Sequence, residues 1–237
     1  MDVDLLDWYK SGAHEDVWKE LARAGPAVFE PPLAKEAEAV ARETVRRARA
    51  NVERLVERLG AAGWKFRFPM TGPPTNYCVY APPRRDVDAK IRELESLCGP
   101  LPLSLRMWWR TVGTVCFMRQ PVFEAPLPDP LVIGPIEDVI RDAREWLDDE
   151  RRRGDEPVYR APLAPDEMHK DEISGGAPYE LELPNRSADG RLLNEWHDTT
   201  FVGYLREAFR WGGLPGYARS PARRSYAADL ARELLPL

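Results

Sequence analysis

The chain lacks the short motifs that mark the commonest enzyme classes. There is no GxxxxGK[ST] loop, no GxGxxG turn after a strand, no GxSxG elbow and no HExxH helix, so the readily recognised nucleotide, dinucleotide, serine-hydrolase and zinc-protease chemistries have no foothold. Cysteine is scarce: Cys78, Cys98 and Cys116 are odd in number, far apart and each set among apolar neighbours. They read as reduced thiols of a core, the ordinary state in a cytoplasmic protein. Histidine is as rare, with only His14, His169 and His197, and closely spaced Cys/His pairs of the kind that hold zinc do not occur.

Neither charge sign is in large excess. With 34 Lys and Arg against 39 Asp and Glu, well mixed to a net charge of -5, no broad basic footprint exists for a nucleic acid or an anionic membrane, and neither is expected as a partner. Apolar runs stay far short of the ~20 residues that cross a bilayer. The first residues, MDVDLLDWYK, place acids where a signal peptide needs positive charge, so export by that route is not expected. These absences together predict a soluble cytoplasmic protein.

What is present is an ordinary globular composition, 43% hydrophobic and 31% charged over 237 residues, enough for one substantial core. Residues 1–35 read as a helical arm, with Val17, Trp18 and Leu21 on one face, followed by a linker holding Gly25, Pro26, Pro31 and Pro32. Residues 36–237 read as one domain. Its first helix runs from Glu36, with Ala41, Val45, Ala48, Val52, Leu55 and Leu59 at three/four spacing, to a stop at Gly60 and Gly63. Trp64–Phe68 and Tyr77–Tyr80 predict two strands around a loop at 69–74.

Helices are predicted over about 86–97, from Pro102 to Gly113, and from Pro135, where Glu137 and Asp138 complement the helix dipole at the start and Arg151 to Arg153 at the end. Asp148, Asp149 and Glu150 are placed to pair with Arg152 and Arg153 across a turn. Strands are expected at 114–118, 131–133, 158–163 and 179–183, the last alternating Tyr179, Leu181 and Leu183 with Glu180 and Glu182. Asp198 or Thr199 is expected to cap a helix carrying Phe201, Val202, Leu205, Ala208 and Phe209, and Ser220-Pro221 to start a last helix. Hairpin-like strand pairs with helices grouped between them predict an α+β fold, a mostly antiparallel mixed sheet packed against several helices.

The densest polar stretch is Asn194 to Thr200, with His169 and Asp189 as possible neighbours in space. Two histidines and several carboxylates have the chemistry to bind a metal or share a proton, and a cluster of His169, Glu195, His197 and Asp198 is the basis of an alternative reading as a small-ligand or metal-dependent enzyme. The plainer reading makes His197 and Asp198 capping groups at a helix start. Trp108-Trp109 and Trp211 invite a stacking platform. Adjacent helical residues point about 100° apart, so one ring in the core and one lining a groove or covering the sheet edge is the expectation. Ser104 has no histidine or acid at an informative spacing, and Arg106 and Arg110, a turn apart, could clamp a carboxylate, although such arginines more often lie over apolar surface or pair locally.

The run Ile91-Arg92-Glu93-Leu94-Glu95, Gly99, Leu101-Pro102, Leu105-Arg106, Trp108 and Val112-Gly113 resembles the SUKH superfamily, which holds cell-wall-assembly regulators, Syd-like proteins and many bacterial immunity proteins. The stretch from Pro178-Tyr179 through Leu193 to His197, Phe209 to Gly213 and Pro215-Gly216 is similar to that of uncharacterised bacterial proteins sharing this first half. The resemblance implies an α+β protein-binding module with no catalytic residues and no cofactor, whose partner is a protein, typically a toxin that it neutralises. The candidate groove is then Trp108, Trp109, His169, Asp189, Glu195, Trp196, His197, Asp198 and Trp211.

Overall fold

A computed structural model describes residues 4–70, 78–122, 125–153 and 158–237, the side chains of 150–153 excepted. The longest element is the one with the clearest apolar stripe. Helix α3 runs over Leu33–Ala61, 29 residues or about 44 Å at the standard rise. Its buried positions, among them Val40, Val45, Ala48, Val52, Leu55 and Leu59, follow the three/four rhythm, and it passes through Gly60 to end before Gly63, whose φ of 79° suits only glycine well.

The residues before it, expected as an arm and linker, form α1 (Leu5–Lys10), α2 (His14–Ala24) and a 3-10 turn (Gly25–Phe29). An apolar face of Val17, Trp18 and Leu21 needs cover, and α3 supplies it. Tyr9, Val17, Trp18, Leu21 and Val28 are buried in the same core as the rest of the chain. The Trp18 indole N–H donates to Thr44 Oγ1 at 3.1 Å, and that hydroxyl donates back to Val40 O, so a polar pair is buried without loss.

Helix α4 (Val87–Cys98) and α5 (Leu103–Thr111) follow. Pro102 stands extended ahead of α5, whose first free N–H groups, those of Leu103 and Ser104, donate to the carbonyls of Ser187 and Ala188. Helix α5 packs against α3, α4 and α7 (Phe201–Arg210), which leaves it almost no wet face. Only Arg110 is exposed, and its guanidinium reaches Asp88 of α4 at 2.7 Å while Arg106 pairs with Glu95. The two arginines therefore pair locally, each with a different carboxylate of the neighbouring helix, and do not clamp one group between them.

Three short strands, β1 (Tyr80–Ala81), β2 (Thr114–Cys116) and β3 (Val132–Ile133), form one antiparallel sheet in that order. β4 (Tyr159–Ala164) and β5 (Tyr179–Leu183) form a second antiparallel pair, joined to the first by Gly134 N donating to Leu163 O. The fold is α+β, with every described pairing antiparallel. The strand expected at Trp64–Phe68 is reduced to a bridge between Phe66 and Arg119, flanked by Arg67 N to Met118 O and Gln120 N to Lys65 O. Trp64 turns its indole N–H inward to Phe117 O instead of lying in a ladder. Residues 71–77 of the expected loop and second strand lie outside the described residues.

Helix α6 (Ile136–Arg153) carries Glu137 and Asp138 in its first turn and packs on α4 and β4. The ion pairs expected between Asp148 to Glu150 and Arg152 or Arg153 lie outside the described side chains, as does Gly154. The last helix, α8 (Arg224–Ala231), begins after a 3-10 turn at Pro221–Arg223 and crosses α3 and α7. Among the described residues no helix is long and apolar enough to cross a membrane.

Candidate functional site

A buried ion pair forms the centre of the polar region. Asp129 lies between two prolines just before β3, with a left-handed backbone at φ 46°. Its Oδ1 accepts from Lys170 Nζ at 2.6 Å, and neither side chain is exposed to solvent. Its Oδ2 accepts from the Tyr179 hydroxyl at 3.0 Å and from the Trp196 indole N–H at 3.3 Å. The ammonium of Lys170 also stands 4.4 Å from the Tyr179 ring centroid and 5.9 Å from that of Tyr204. Two aromatic faces and a carboxylate thus replace the water that a lysine gives up on burial.

Three elements build this arrangement. β5 alternates, so Tyr179 falls on the inward face with Leu181 and Leu183. A 3-10 turn at His169–Asp171 carries Lys170, and Tyr204 comes from α7 and meets Tyr179 edge to face at 5.9 Å. Burial, then the charge of Asp129, raises the Tyr179 hydroxyl far above its usual range, so it stays protonated and remains a donor. Burial does the same to Tyr204, helped by Asp129 and Glu195.

The expected cluster of His169, Glu195, His197 and Asp198 is divided among separate partners. His169 is half exposed and its Nδ1 meets the Asp166 carboxylate, which also accepts from the backbone N–H of Met168 and His169. His197 turns its Nδ1 to the buried carboxylate of Glu195, whose other oxygen accepts from His197 N at 2.8 Å. The Nε2 of His197 is buried without a partner among the described residues. Asp198 faces solvent and pairs with Arg191. Among the described residues no group of three or more His, Cys, Asp or Glu is arranged to hold a metal ion.

Neither Asp198 nor Thr199 caps α7. Asp198 sits at φ 52°, two residues too early, and the cap is Thr200, whose hydroxyl accepts from Gly203 N at 3.2 Å. Asp189 adds a second acceptor at the same helix end, taking Val202 N at 3.1 Å and the Ser104 hydroxyl at 2.6 Å. Ser104 therefore does have an acid, 85 residues away in sequence. The pair ties the starts of α5 and α7 together. Burial pushes the Asp189 carboxyl up, against the bonds from Ser104, Thr200 and Val202.

The tryptophans part company. Trp108 and Trp109 are both core residues, 0% and 2% exposed, because α5 is covered on nearly every side. Their indole N–H groups donate to Gly113 O and Gly134 O, and Trp108 meets Phe201 edge to face. The expectation that one of the two lines a groove is corrected by this packing. Trp211, at the end of α7, is partly buried against the core.

Trp196 alone among them is exposed, at 38%. It is also immobilised: the indole N–H is on Asp129, the ring lies 3.5 Å from that of His197, and the Arg219 guanidinium carbon stands 4.7 Å from the ring centroid. Arg219 is itself held by Glu167.

Sequence reasoning found Trp196, Glu195 and His197 but missed Asp129, Lys170, Asp166 and Arg219. Only Asp129, set between Pro128 and Pro130, carried a local signal, since such a setting marks a turn. All three cysteines are buried and outside any disulfide, and burial pushes Cys98 up to about 11 and Cys116 to about 12, so these two thiols stay protonated. A cavity of about 590 Å³ opens elsewhere, between the start of α2, the end of α7 and the last residues of the chain. No family model, no curated protein and no solved structure matches the chain.

Proposed function

We propose that this chain is a cytoplasmic, non-catalytic protein-binding module of the SUKH kind, an immunity protein that neutralises a cognate bacterial toxin through a surface centred on Trp196. The observation that carries the proposal is the state of that ring, exposed to solvent yet held at its N–H by a buried carboxylate and contacted by His197 and Arg219. A tryptophan fixed before binding loses little rotamer freedom when a partner covers it, and such aromatics dominate protein-binding energies. The order of elements around Leu101-Pro102, a helix, a second helix and a strand entered through Gly113, is the one the resemblance rests on. Binding is also favoured over catalysis by what the polar groups do: the ammonium of Lys170 and the carboxylates of Asp129, Asp166 and Glu195 are engaged with one another or with their own turns.

The test is co-expression with the product of the adjacent open reading frame, followed by calorimetry on the purified pair. A toxin bound tightly and inhibited, with Trp196→Ala weakening the complex by about 30-fold as a hot spot should, supports the reading. A toxin bound equally well by the variant removes Trp196 from the interface. Neighbouring gene products that neither bind nor are inhibited remove the immunity function itself.

A further inference from the structure

His14, the first residue of α2, joins four elements. Its Nε2 lies 2.6 Å from Arg47 Nη1 on α3. A guanidinium has donors only, so Nε2 must be the bare acceptor nitrogen and the proton must sit on Nδ1. The same Arg47 nitrogen donates to Pro236 O, and its Nε donates to Glu43 Oε1 at 2.8 Å. The backbone carbonyl of His14 accepts from Arg206 of α7 at 3.0 Å, and the imidazole meets the ring of Tyr9 from α1 edge to face at 4.6 Å.

We propose that the His14–Arg47 contact is an acid-sensitive latch, and that protonation of His14 frees α1 and the first turn of α2 from α3 and widens the cavity beside them. A proton on Nε2 destroys the acceptor and sets two cations at hydrogen-bond distance. The groups facing His14 do not rescue it. Arg47 and Arg206 are both positive, Tyr9 is buried with its hydroxyl raised by that burial, and Glu43, the acid of α3 that acts on His14, is already shared by Arg46 and Arg47. On its own helix, Glu15 and Asp16 are exposed and reach for Lys19. Desolvation first, then Arg47 and Arg206, hold the imidazole below its usual range, with Glu43 opposing.

The part that moves is set by what else each element holds. The last residues of the chain have independent anchors along α3 at Asn51, Arg54 and Arg58. Helix α1, of only six residues, is tied to α3 by the buried Tyr9, whose ring lies under the Arg47 guanidinium, by the Leu5 N–H on Glu36, and by the partly buried Leu5, Leu6 and Trp8, so its hold depends in part on where Arg47 is kept. The corner between α1 and α2 contains Gly12 at φ 110°, and it lines the cavity together with His14, Glu15 and Asp16. That corner is free to swing while the body of α2 stays docked through Val17, Trp18 and Leu21.

Hydrogen exchange of the full chain, corrected for intrinsic rate, tests the latch. Between pH 7.5 and 5 the amides of residues 5–16 are expected to open about tenfold more often, the scale of one lost hydrogen bond to a charged group. In His14→Gln, whose amide oxygen accepts from Arg47 without titrating, the profile is expected to be flat. An unchanged wild-type profile, or the same pH response in the variant, overturns the proposal. Should the variant fail to fold, the ¹⁵N spectrum of wild-type His14 decides: the Nδ1–H tautomer is required, and an Nε2–H tautomer at neutral pH overturns it.

Discussion

Lys170 and Asp129, 41 residues apart in sequence, meet at 2.6 Å with both side chains entirely out of water. Such a pair contributes little net stability, because desolvating two charges offsets most of their attraction, but removing one partner strands the other. Asp129→Asn and Lys170→Met are therefore each expected to cost about 3–5 kcal/mol in urea unfolding. The combined Asp129→Leu/Lys170→Met chain should recover only part of that loss, because the buried Tyr179 hydroxyl is left without its acceptor. Single costs under about 1 kcal/mol that simply add would show that the two charges are not coupled as described.

The double variant has a second consequence. Asp129 is what holds the Trp196 indole N–H, so the folded variant should leave Trp196 loose, a state visible as a narrowed ¹⁹F signal when the protein is labelled with fluorotryptophan. A ring equally rigid without Asp129 would assign its order to His197 and Arg219 alone.

Helix content was largely legible because periodicity is a local signal. α3, α4 and α6 lie within a few residues of where their apolar stripes place them, and β5 where Tyr179, Leu181 and Leu183 alternate. What was not legible depends on contacts made at a distance. Trp108 and Trp109 both vanish into the core because three helices surround α5, a fact its own nine residues do not encode. The cap of α7 was misplaced to Asp198 or Thr199 because the choice among neighbouring polar residues is made by Arg191, which draws Asp198 outward, and by Asp189, which arrives from another segment. The ion pair at the centre of the site is the extreme case, a lysine and an aspartate with nothing in their surroundings to announce burial.

The two classes of tryptophan give opposite expectations. Trp108→Phe loses the N–H bond to Gly113 O and part of a fully buried ring, and should cost about 2–3 kcal/mol in denaturant unfolding while leaving partner affinity unchanged. Trp196→Ala should do the reverse, with a stability change near 1 kcal/mol or less and a large loss of affinity. Equal stability costs for the two would contradict the burial assigned to them.

Glu43 sets an acid limit separate from that of His14. Arg46 donates to both its oxygens, at 2.7 and 2.8 Å, and Arg47 to one at 2.8 Å, and these bonds, Arg46 first, hold the carboxyl down to about 2. A carboxyl lowered in the fold contributes stability that is fully present above its unfolded value and fades as pH falls toward the folded one. Glu43→Gln should therefore trail the wild type by a constant amount from pH 5 to 8 and draw level near pH 2. The site is partly open to solvent, so the gap is expected to stay below about 1 kcal/mol. A gap that grows on acidification would reverse the assigned sign.

One side of α3 is used as a track for the end of the chain. Arg47, Asn51, Arg54 and Arg58 recur at helical spacing and take the carbonyls of Pro236, Leu235, Glu233 and Arg232 in turn. Asn51 alone makes two bonds, its amide donating to Leu235 O at 2.8 Å and its oxygen accepting from Leu235 N at 2.7 Å, as a strand neighbour would. Because side chains address backbone here, the pattern on α3 has no counterpart in the sequence of the tail. Asn51→Ala leaves both Leu235 groups unmet in a half-buried place and should cost about 1–3 kcal/mol. Exchange at residues 233–237 should rise while that of α1 at pH 7.5 stays as in the wild type. Asn51→Asp keeps the acceptor but turns the donor into a second acceptor facing Leu235 O, so it should cost at least as much as alanine. If instead aspartate restored protection of the tail, the bond to Leu235 N would be the only one that matters, and the two-point contact would have to be abandoned.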